Sequence, residues 1–432
     1  MFFNYVLKDI NIYSIAIQFK MSLQGLIDKQ KELLELIDTC LKPKEKEKKQ
    51  FGEVFTPPKL IEEMLDKLPL EVWTNPDLKW LDPASGMGNY PIMVYLRLLE
   101  NLTCIEDIKE RKKHILENML YMVELNKKNV FVCKQIFDIN NEYKLNVYNE
   151  DFLKFKSDIQ FDIIMGNPPY NDASGNKGKG HILWNKFVEL SLNNLLKENG
   201  YLVFIHPSLW RQFEHPLLEK IKIKQILYLE IHNTNDGQKM FKCATRYDWY
   251  ILQNIKYYKK TIIKDEENKV NEIDLRKWKF IPNMLFDEIK ELISNNDNEK
   301  LDVNYYRSNY GTEKKIISKN KNDEYKYPVI YSINKKNELS LRYSNTDKNG
   351  HFNLSKFIFS NGAGFYCDVK GDYGLTEWAY CIYDQPENLY KIQKAFKTNK
   401  FNKIKDALLL DSKSYNIKVM KLFKKYFYNE FL

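Results

Sequence analysis

Between about residues 50 and 255 the chain alternates short apolar runs with segments whose apolar residues recur at helical spacing. The runs fall at residues 79–81, 119–123, 145–148, 161–165, 201–205 and 226–231, with helical patterns such as 92–100 and 184–196 between them. Strand and helix in alternation predict an α/β fold built on a parallel sheet with helices on both faces. In such a sheet ligands bind beyond the carboxyl ends of the strands. Chemistry is therefore expected just after the apolar runs.

The flanks differ. Residues 22–41 carry Leu23, Leu26, Ile27, Leu34, Ile37 and Leu41 at roughly helical spacing, which predicts one amphipathic helix. The run KPKEKEKKQ at 42–50 reads as a solvated, charged linker. Beyond about residue 256 the alternation fades into Lys- and Asn-rich segments broken by aromatic clusters, including WKF at 278–280, NYYRSNY at 304–310 and a long one at 361–380. These predict a mixed, loop-rich α+β domain that closes with an amphipathic helix around residues 414–427. The expected parts are a helical arm over 1–50, a sheet domain over 51–255 and a second domain over 256–432.

Composition adds two constraints. A chain of 432 residues exceeds one typical domain, and 44% apolar with 29% charged residues excludes a wholly disordered or fibrous protein. The formal net charge of +9 is uneven: residues 301–432 hold 23 Lys and Arg against 14 Asp and Glu, whereas residues 1–300 hold 44 of each. A basic region joined to a neutral one points to a polyanionic partner, and ordinary solubilising lysine fits the charge equally well. Cys40, Cys104, Cys133, Cys243, Cys367 and Cys381 show no metal or redox spacing and read as reduced thiols, so a reducing compartment such as the cytoplasm is expected. Lys8, Asp9 and Lys20 interrupt the apolar N-terminus, so neither a membrane span nor a signal peptide is expected, and Met21 is a candidate alternative start.

Four elements after the strands carry candidate chemistry. The first, Asp82-Pro-Ala-Ser-Gly86-Met-Gly88-Asn89, puts glycines at a strand-to-helix turn where a ligand can approach the backbone, with an acid at the strand end; it also fits plain turn chemistry. Glu124 ends the next run, where an acid can hold two ribose hydroxyls or simply face solvent. Asp151 and Phe152 can accept from an exocyclic amine and cover a ring, and they also fit a helix cap beside a core aromatic. The fourth is the most specific: the buried run 161–166 leads straight into Asn167-Pro168-Pro169-Tyr170. Two prolines cannot extend a ladder and hold the backbone extended. The Asn167 side-chain oxygen and the Pro168 carbonyl then offer two fixed acceptors beside the flat face of Tyr170, which suits a planar substrate bearing an amino group.

Phe55-Thr56-Pro57, Asp82-x-x-x-Gly86-x-Gly88, Glu124, Asp151-Phe152 and Asn167-Pro168-Pro169-Tyr170, in that order, resemble the gamma-arrangement amino-group DNA methyltransferases of restriction-modification systems. The resemblance covers roughly residues 50–255. It implies an S-adenosylmethionine-dependent methyltransferase (Rossmann-like) sheet domain followed by a basic recognition domain, and methylation of adenine N6 in double-stranded DNA. By the same likeness Thr56, Asp82, Gly86, Gly88, Glu124, Asp151 and Phe152 would bind S-adenosylmethionine. Asn167 and Pro168 would accept from the target amine, with Tyr170 and Phe241 on the two faces of a flipped base. Transfer would be direct, with no metal and no covalent intermediate. Asn89 departs from the further glycine of many members and adds a contact or caps the following helix.

The Gly-rich segment 171–181, with Lys177, Lys179 and His181, suits a loop that orders on phosphates, or an ordinary mobile loop. Candidate base readers by residue type are Arg307, Arg342, Asn361 and Tyr373. The same Asn-Pro-Pro-Tyr cradle would also serve a protein-glutamine or RNA methyltransferase, but such chains usually stop soon after the sheet. A non-catalytic relative would have no need of the intact cradle; the short segment before the first motif leaves no room for a fused nuclease, and the C-terminal part offers no clear set of paired acids with a lysine. The expected partners are DNA and a separate cognate restriction endonuclease, with no membrane.

Overall fold

The computed structural model describes residues 54–171, 182–305, 316–348, 351–410 and 415–432. The expected helix over 22–41 and the linker over 42–50 lie outside them. The chain divides into two compact units, one from Met1–Trp210 with Pro216–Trp278 and one from Arg211–His215 with Lys279–Leu432.

The first unit holds β1 (Trp80–Asp82), β2 (Leu120–Val123), β3 (Asn146–Tyr148), β4 (Phe161–Gly166), β5 (Leu196–Pro207), β6 (Lys224–His232), β7 (Tyr247–Lys256), β8 (Thr261–Lys264) and β9 (Val270–Ile273). They form one sheet in the order β3-β2-β1-β4-β5-β7-β6-β8-β9. Strands β1 to β5 pair in parallel, and β7 runs antiparallel between β5 and β6. This is the α/β, Rossmann-like sheet that the resemblance implies. The chain steps outward from β1 to β3 and then returns to β4, so the order reverses between β1 and β4. A crevice opens at such a switch point.

The central strands read as continuous apolar runs because both their faces are covered. In β4, Ile163, Ile164 and Met165 are all fully buried. Ile163 and Met165 join a core with Trp80, Met122, Cys133 and Phe137. To this core helix α1 (Pro58–Leu65) contributes Ile61 and Met64, α2 (Asn89–Asn101) contributes Ile92 and Tyr95, and α3 (Lys127–Phe137) contributes Val130 and Ile136. Each such side chain contributes about 1.5–3 kcal/mol when fully buried. Helix α4 (Trp184–Leu190) adds Phe187, which stacks on Phe152 at 4.9 Å.

The sheet runs past residue 255, where a boundary was expected. β8 pairs in parallel with β6 through Tyr228 and Ile262, and β9 pairs with β8, so the unit ends at Trp278. Lysines 256, 259, 260 and 264 surround this short apolar segment and conceal it in a hydropathy reading.

The second unit contains β10 (Ile317–Ser318), β11 (Tyr327–Ile333), β12 (Leu339–Ser344), β13 (Lys356–Ser360), β14 (Phe365–Asp368), β15 (Gly374–Leu375) and β16 (Ala379–Tyr383). They make a four-stranded sheet, β10-β12-β11-β15, and a three-stranded sheet, β14-β13-β16. An aromatic core gathers around Phe396 of helix α6 (Pro386–Lys397), with Phe357 at 4.7 Å and Phe401 at 4.2 Å. Lys356 and Asp368 form a fully buried ion pair at 2.8 Å. The helix expected around 414–427 is not continuous. Ile417–Met420 forms one short turn, Phe423 and Lys424 bridge to Ile293 and Lys300, and Phe427–Phe431 is a 3-10 turn. Phe423, Phe427 and Phe431 are all buried, and their spacing of four mimics a helix although Phe423 sits in a β-bridge and Phe427 and Phe431 in a 3-10 turn. Among the described residues no helix is long and apolar enough to cross a membrane.

Candidate active site at the strand ends

Asp82 closes β1 and is 1% exposed, with Oδ1 accepting the Ala84 N–H at 3.0 Å. The chain then turns through Gly86 and Gly88 into α2. Gly88 has φ +99° and its Cα faces Cys133 and Phe137 of α3, so a side chain there would be both strained and crowded. Among the described residues, a Cβ on Gly86 would meet nothing within 4 Å. The turn thus leaves open space directly over its backbone.

Glu124, at the end of β2, ties this turn to its neighbour strand. Its carboxylate accepts from Gly86 N–H at 2.8 Å and from Asn126 N–H at 2.7 Å. The Glu124 carbonyl in turn accepts from Asn149 Nδ2 and Glu150 N, which brings the segment after β3 alongside. There Asp151 caps a 3-10 turn by accepting from Leu153 N–H at 3.0 Å, and Lys154 lies 3.7 Å away. Phe152 is 2% exposed and packed on Phe187, well inside the core.

The strand β4 ends at Gly166, where a Cβ would come within 2.9 Å of Asp82 Oδ1. Only glycine lets the acid of β1 lie this close to the entrance of Asn167. Asn167 Nδ2 donates to Thr56 Oγ1 at 3.1 Å, and Asn89 Nδ2 donates to the Thr56 carbonyl at 3.3 Å. Asn167 Oδ1 is buried and has no hydrogen-bond partner among the described residues. An acceptor in that condition costs roughly 1–3 kcal/mol unless something donates to it. Thr56, Asp82, Gly86, Gly88, Glu124 and Asn167 are thus joined into one connected set, with Pro168 buried and Tyr170 half-buried just beyond.

Phe241 ends helix α5 (Thr234–Phe241). Its ring stands edge-on to Tyr247, the first residue of β7, at 4.9 Å. Tyr247 stacks on His232 at 4.3 Å. Tyr247 is therefore a neighbour of Phe241 that the sequence motifs do not include. An aromatic at the first position of a strand was the available signal.

Electrostatics favour a cation. Burial pushes the Asp82 carboxyl up to about 8, the nearby Glu124 charge adds to this, and the Ala84 N–H opposes it. Two acids in one crevice, one of them too buried to ionise easily, are relieved by a positively charged ligand. Burial likewise holds the Tyr170 phenol far above its ordinary value, so it stays neutral.

In the second unit, Arg342 lies over the Tyr331 ring at 4.7 Å, Asn361 Nδ2 donates to Tyr380 at 3.3 Å, and Tyr373 stands edge-on to Tyr366 at 5.5 Å. Arg307, Lys177, Lys179 and His181 lie outside the described residues.

Residues 91–241 match the Eco57I restriction-modification methylase family. That span includes Glu124, Asn167 and Tyr170, and over it the resemblance read from the sequence is borne out. A Mycoplasma pneumoniae protein described as an uncharacterized adenine-specific methylase is 27% identical over 330 residues, covering 57% of this chain and 76% of that protein. Among solved structures, the Type IIL restriction-modification enzyme MmeI in complex with DNA has a TM-score of 0.48 and 14% identity, covering 87% of this chain and 68% of that one. The M protein of the type I enzyme EcoKI has a TM-score of 0.38 and 14% identity, covering 49% of this chain and 48% of that one. The match spans about half the length of such type I chains.

Proposed function

We propose that this chain is an adenine-specific DNA methyltransferase, the modification part of a restriction-modification system, acting on N6 of an adenine turned out of duplex DNA. The observation that carries the reading is Asn167 Oδ1: a buried acceptor with no donor among the described residues, held by the amide's other end, beside an aromatic ring and next to a glycine turn that leaves open space. The family match over residues 91–241 and the adenine-specific relative support it.

The turn and acids fit S-adenosylmethionine, which when bound supplies a methyl group on a sulfonium sulfur. Asp82 and Glu124 offer carboxylates to its cationic and hydroxyl groups, Gly86 and Gly88 keep the backbone clear, and Asp151 offers an acceptor at the next strand end. Phe152 supports that wall by packing on Phe187. Asn167 Oδ1 and the Pro168 carbonyl accept the two hydrogens of the adenine amine. Two acceptors favour a pyramidal nitrogen with a localised lone pair, which is the nucleophile. Tyr170 and Phe241 hold the base plane, offsetting an unstacking cost of roughly a few kcal/mol. The surplus proton leaves to solvent. Positioning and electrostatics supply the acceleration. The basic second unit is the DNA target-recognition part, and a separate restriction endonuclease is the partner.

Asn167→Ala tests the reading. Transfer of labelled methyl to unmodified DNA should fall by about 10²-fold or more, while calorimetric S-adenosylmethionine affinity stays within about threefold. Undiminished turnover in the variant would remove Asn167 from the chemistry and the proposal with it.

A further inference from the structure

Of the 67 Lys and Arg in this chain only seven are arginine, so each arginine departs from a strong lysine habit. Six lie among the described residues, and five of these spend their guanidinium on the protein. Arg97 donates to Asp66 and the Glu62 carbonyl, Arg111 to the Leu99 and Ile105 carbonyls, Arg211 to Asn283 and the Ile281 and Pro282 carbonyls, Arg246 to Glu266, and Arg276 to Asp274. Arg342 differs. Its guanidinium lies over the Tyr331 ring, 4.7 Å from the centroid, and among the described residues it makes neither a hydrogen bond nor an ion pair.

The strands prepare this arrangement. β11 and β12 pair antiparallel through Val329 and Arg342, Ile330 and Leu341, Ser332 and Ser340, and Ile333 and Leu339. Ile330, Ile333, Leu339 and Leu341 pack into one core, so strand alternation turns Ser340 and Arg342 to the opposite face. Tyr331 is the residue that the register skips, because a bulge lies between Ile330 and Ser332. A bulge bends its strand and re-aims the side chain it carries. Here that side chain is the ring under Arg342. The bulge is itself secured: Thr376, 1% exposed, donates its hydroxyl to the Ile330 carbonyl at 3.0 Å and lies 3.4 Å from the Tyr331 carbonyl.

A guanidinium over a ring gives up its face and keeps its edge. The ring restrains it, while its N–H donors remain available as a fixed fork. That geometry suits two parallel hydrogen bonds to O6 and N7 of a guanine in the major groove. A phosphate asks for less, since any flexible ammonium serves, and residues 301–432 are well supplied with lysine. Asn361 and Tyr373, the other described candidates, are engaged with Tyr380 and Tyr366.

We infer that Arg342, carried on the bulged Tyr331, is a specificity-determining residue that reads a guanine in the DNA sequence this chain methylates. The inference rests on the proposed function and deepens it by naming a base and the side chain that selects it.

Single-molecule sequencing of DNA from cells that express the full chain, and have no adenine methylation of their own, gives the parent's sequence context. The purified parent, Arg342→Ala, Arg342→Lys and Tyr331→Leu are then assayed on duplexes carrying that context or a base-pair change at each guanine in turn. For the parent, one such change should lower kcat/KM by about five- to 150-fold through the lost bidentate pair. In Arg342→Ala the same change should alter it by less than about threefold, with other positions still read and calorimetric S-adenosylmethionine affinity within about threefold of the parent. Arg342→Lys keeps the charge but not the fork, so it should also lose the discrimination, and Tyr331→Leu should lose part of it. A context without guanine would overturn the inference, as would an Arg342→Ala protein that discriminates like the parent. An Arg342→Ala protein weakened equally on every sequence would overturn it too, since loss of a phosphate contact or of the fold gives that result. A parent that methylates no DNA would instead bring down the proposed function, and this inference with it.

Discussion

Asp82 is a carboxylate placed where ionising is hardest, fully buried and facing a second acid, and this has a measurable consequence. With its carboxyl pushed up to about 8, it is mostly protonated in the free protein at neutral pH. A cationic ligand beside it requires the carboxylate, so binding must expel a proton. Affinity for S-adenosylmethionine should therefore rise as pH increases from about 6 toward 8, by up to roughly tenfold per unit, and level off above. Asp82→Asn should bind more weakly at the upper end and lose this slope, which also separates it from titration of the ligand's own amine. Calorimetric titrations across that range are the check, and an identical slope in Asp82→Asn would exclude Asp82 as its source. At this scale the sequence was informative about which residues stand at the strand ends, because their types and order are distinctive. It was silent on the pairing of Thr56 with Asn167, which depends on which polar groups meet in space: the two are 111 positions apart.

At the scale of elements, legibility followed burial. β1, β2 and β4 are covered on both faces and appear as plain apolar runs, so their ends, and hence the places where chemistry should lie, could be located in advance. β8 escaped because a four-residue strand flanked by lysines carries too little pattern, and it joins the sheet only through its pairing with β6. The C-terminal segment misled for the opposite reason. Val419, Phe423 and Phe427 recur every four residues, yet Phe423 and Lys424 are held by bridges to Ile293 and Lys300 that no local spacing reveals. Phe241 shows a third case: Asn233 and Asp236 form a reciprocal capping box that starts α5, and Phe241 at its end meets Tyr247, the first residue of β7.

For the whole molecule, the excess charge becomes meaningful once the two units are separated. The +9 of the chain falls within residues 301–432, in the second unit, while the first unit carries the acid-lined crevice. In the proposed function that surplus meets phosphates, so the logarithm of DNA affinity should fall linearly with the logarithm of salt, with a slope near −4 to −5 if about five contacts are made. A salt-independent affinity in fluorescence anisotropy would leave the lysines as solubilising groups. The central claim is tested most directly by single-molecule sequencing of DNA from cells expressing the full chain or its Asn167→Ala variant. N6-methyladenine at one sequence context, present with the parent and absent with the variant, is the predicted result. Unmodified DNA from both, with labelled methyl appearing instead in protein or RNA, would contradict it.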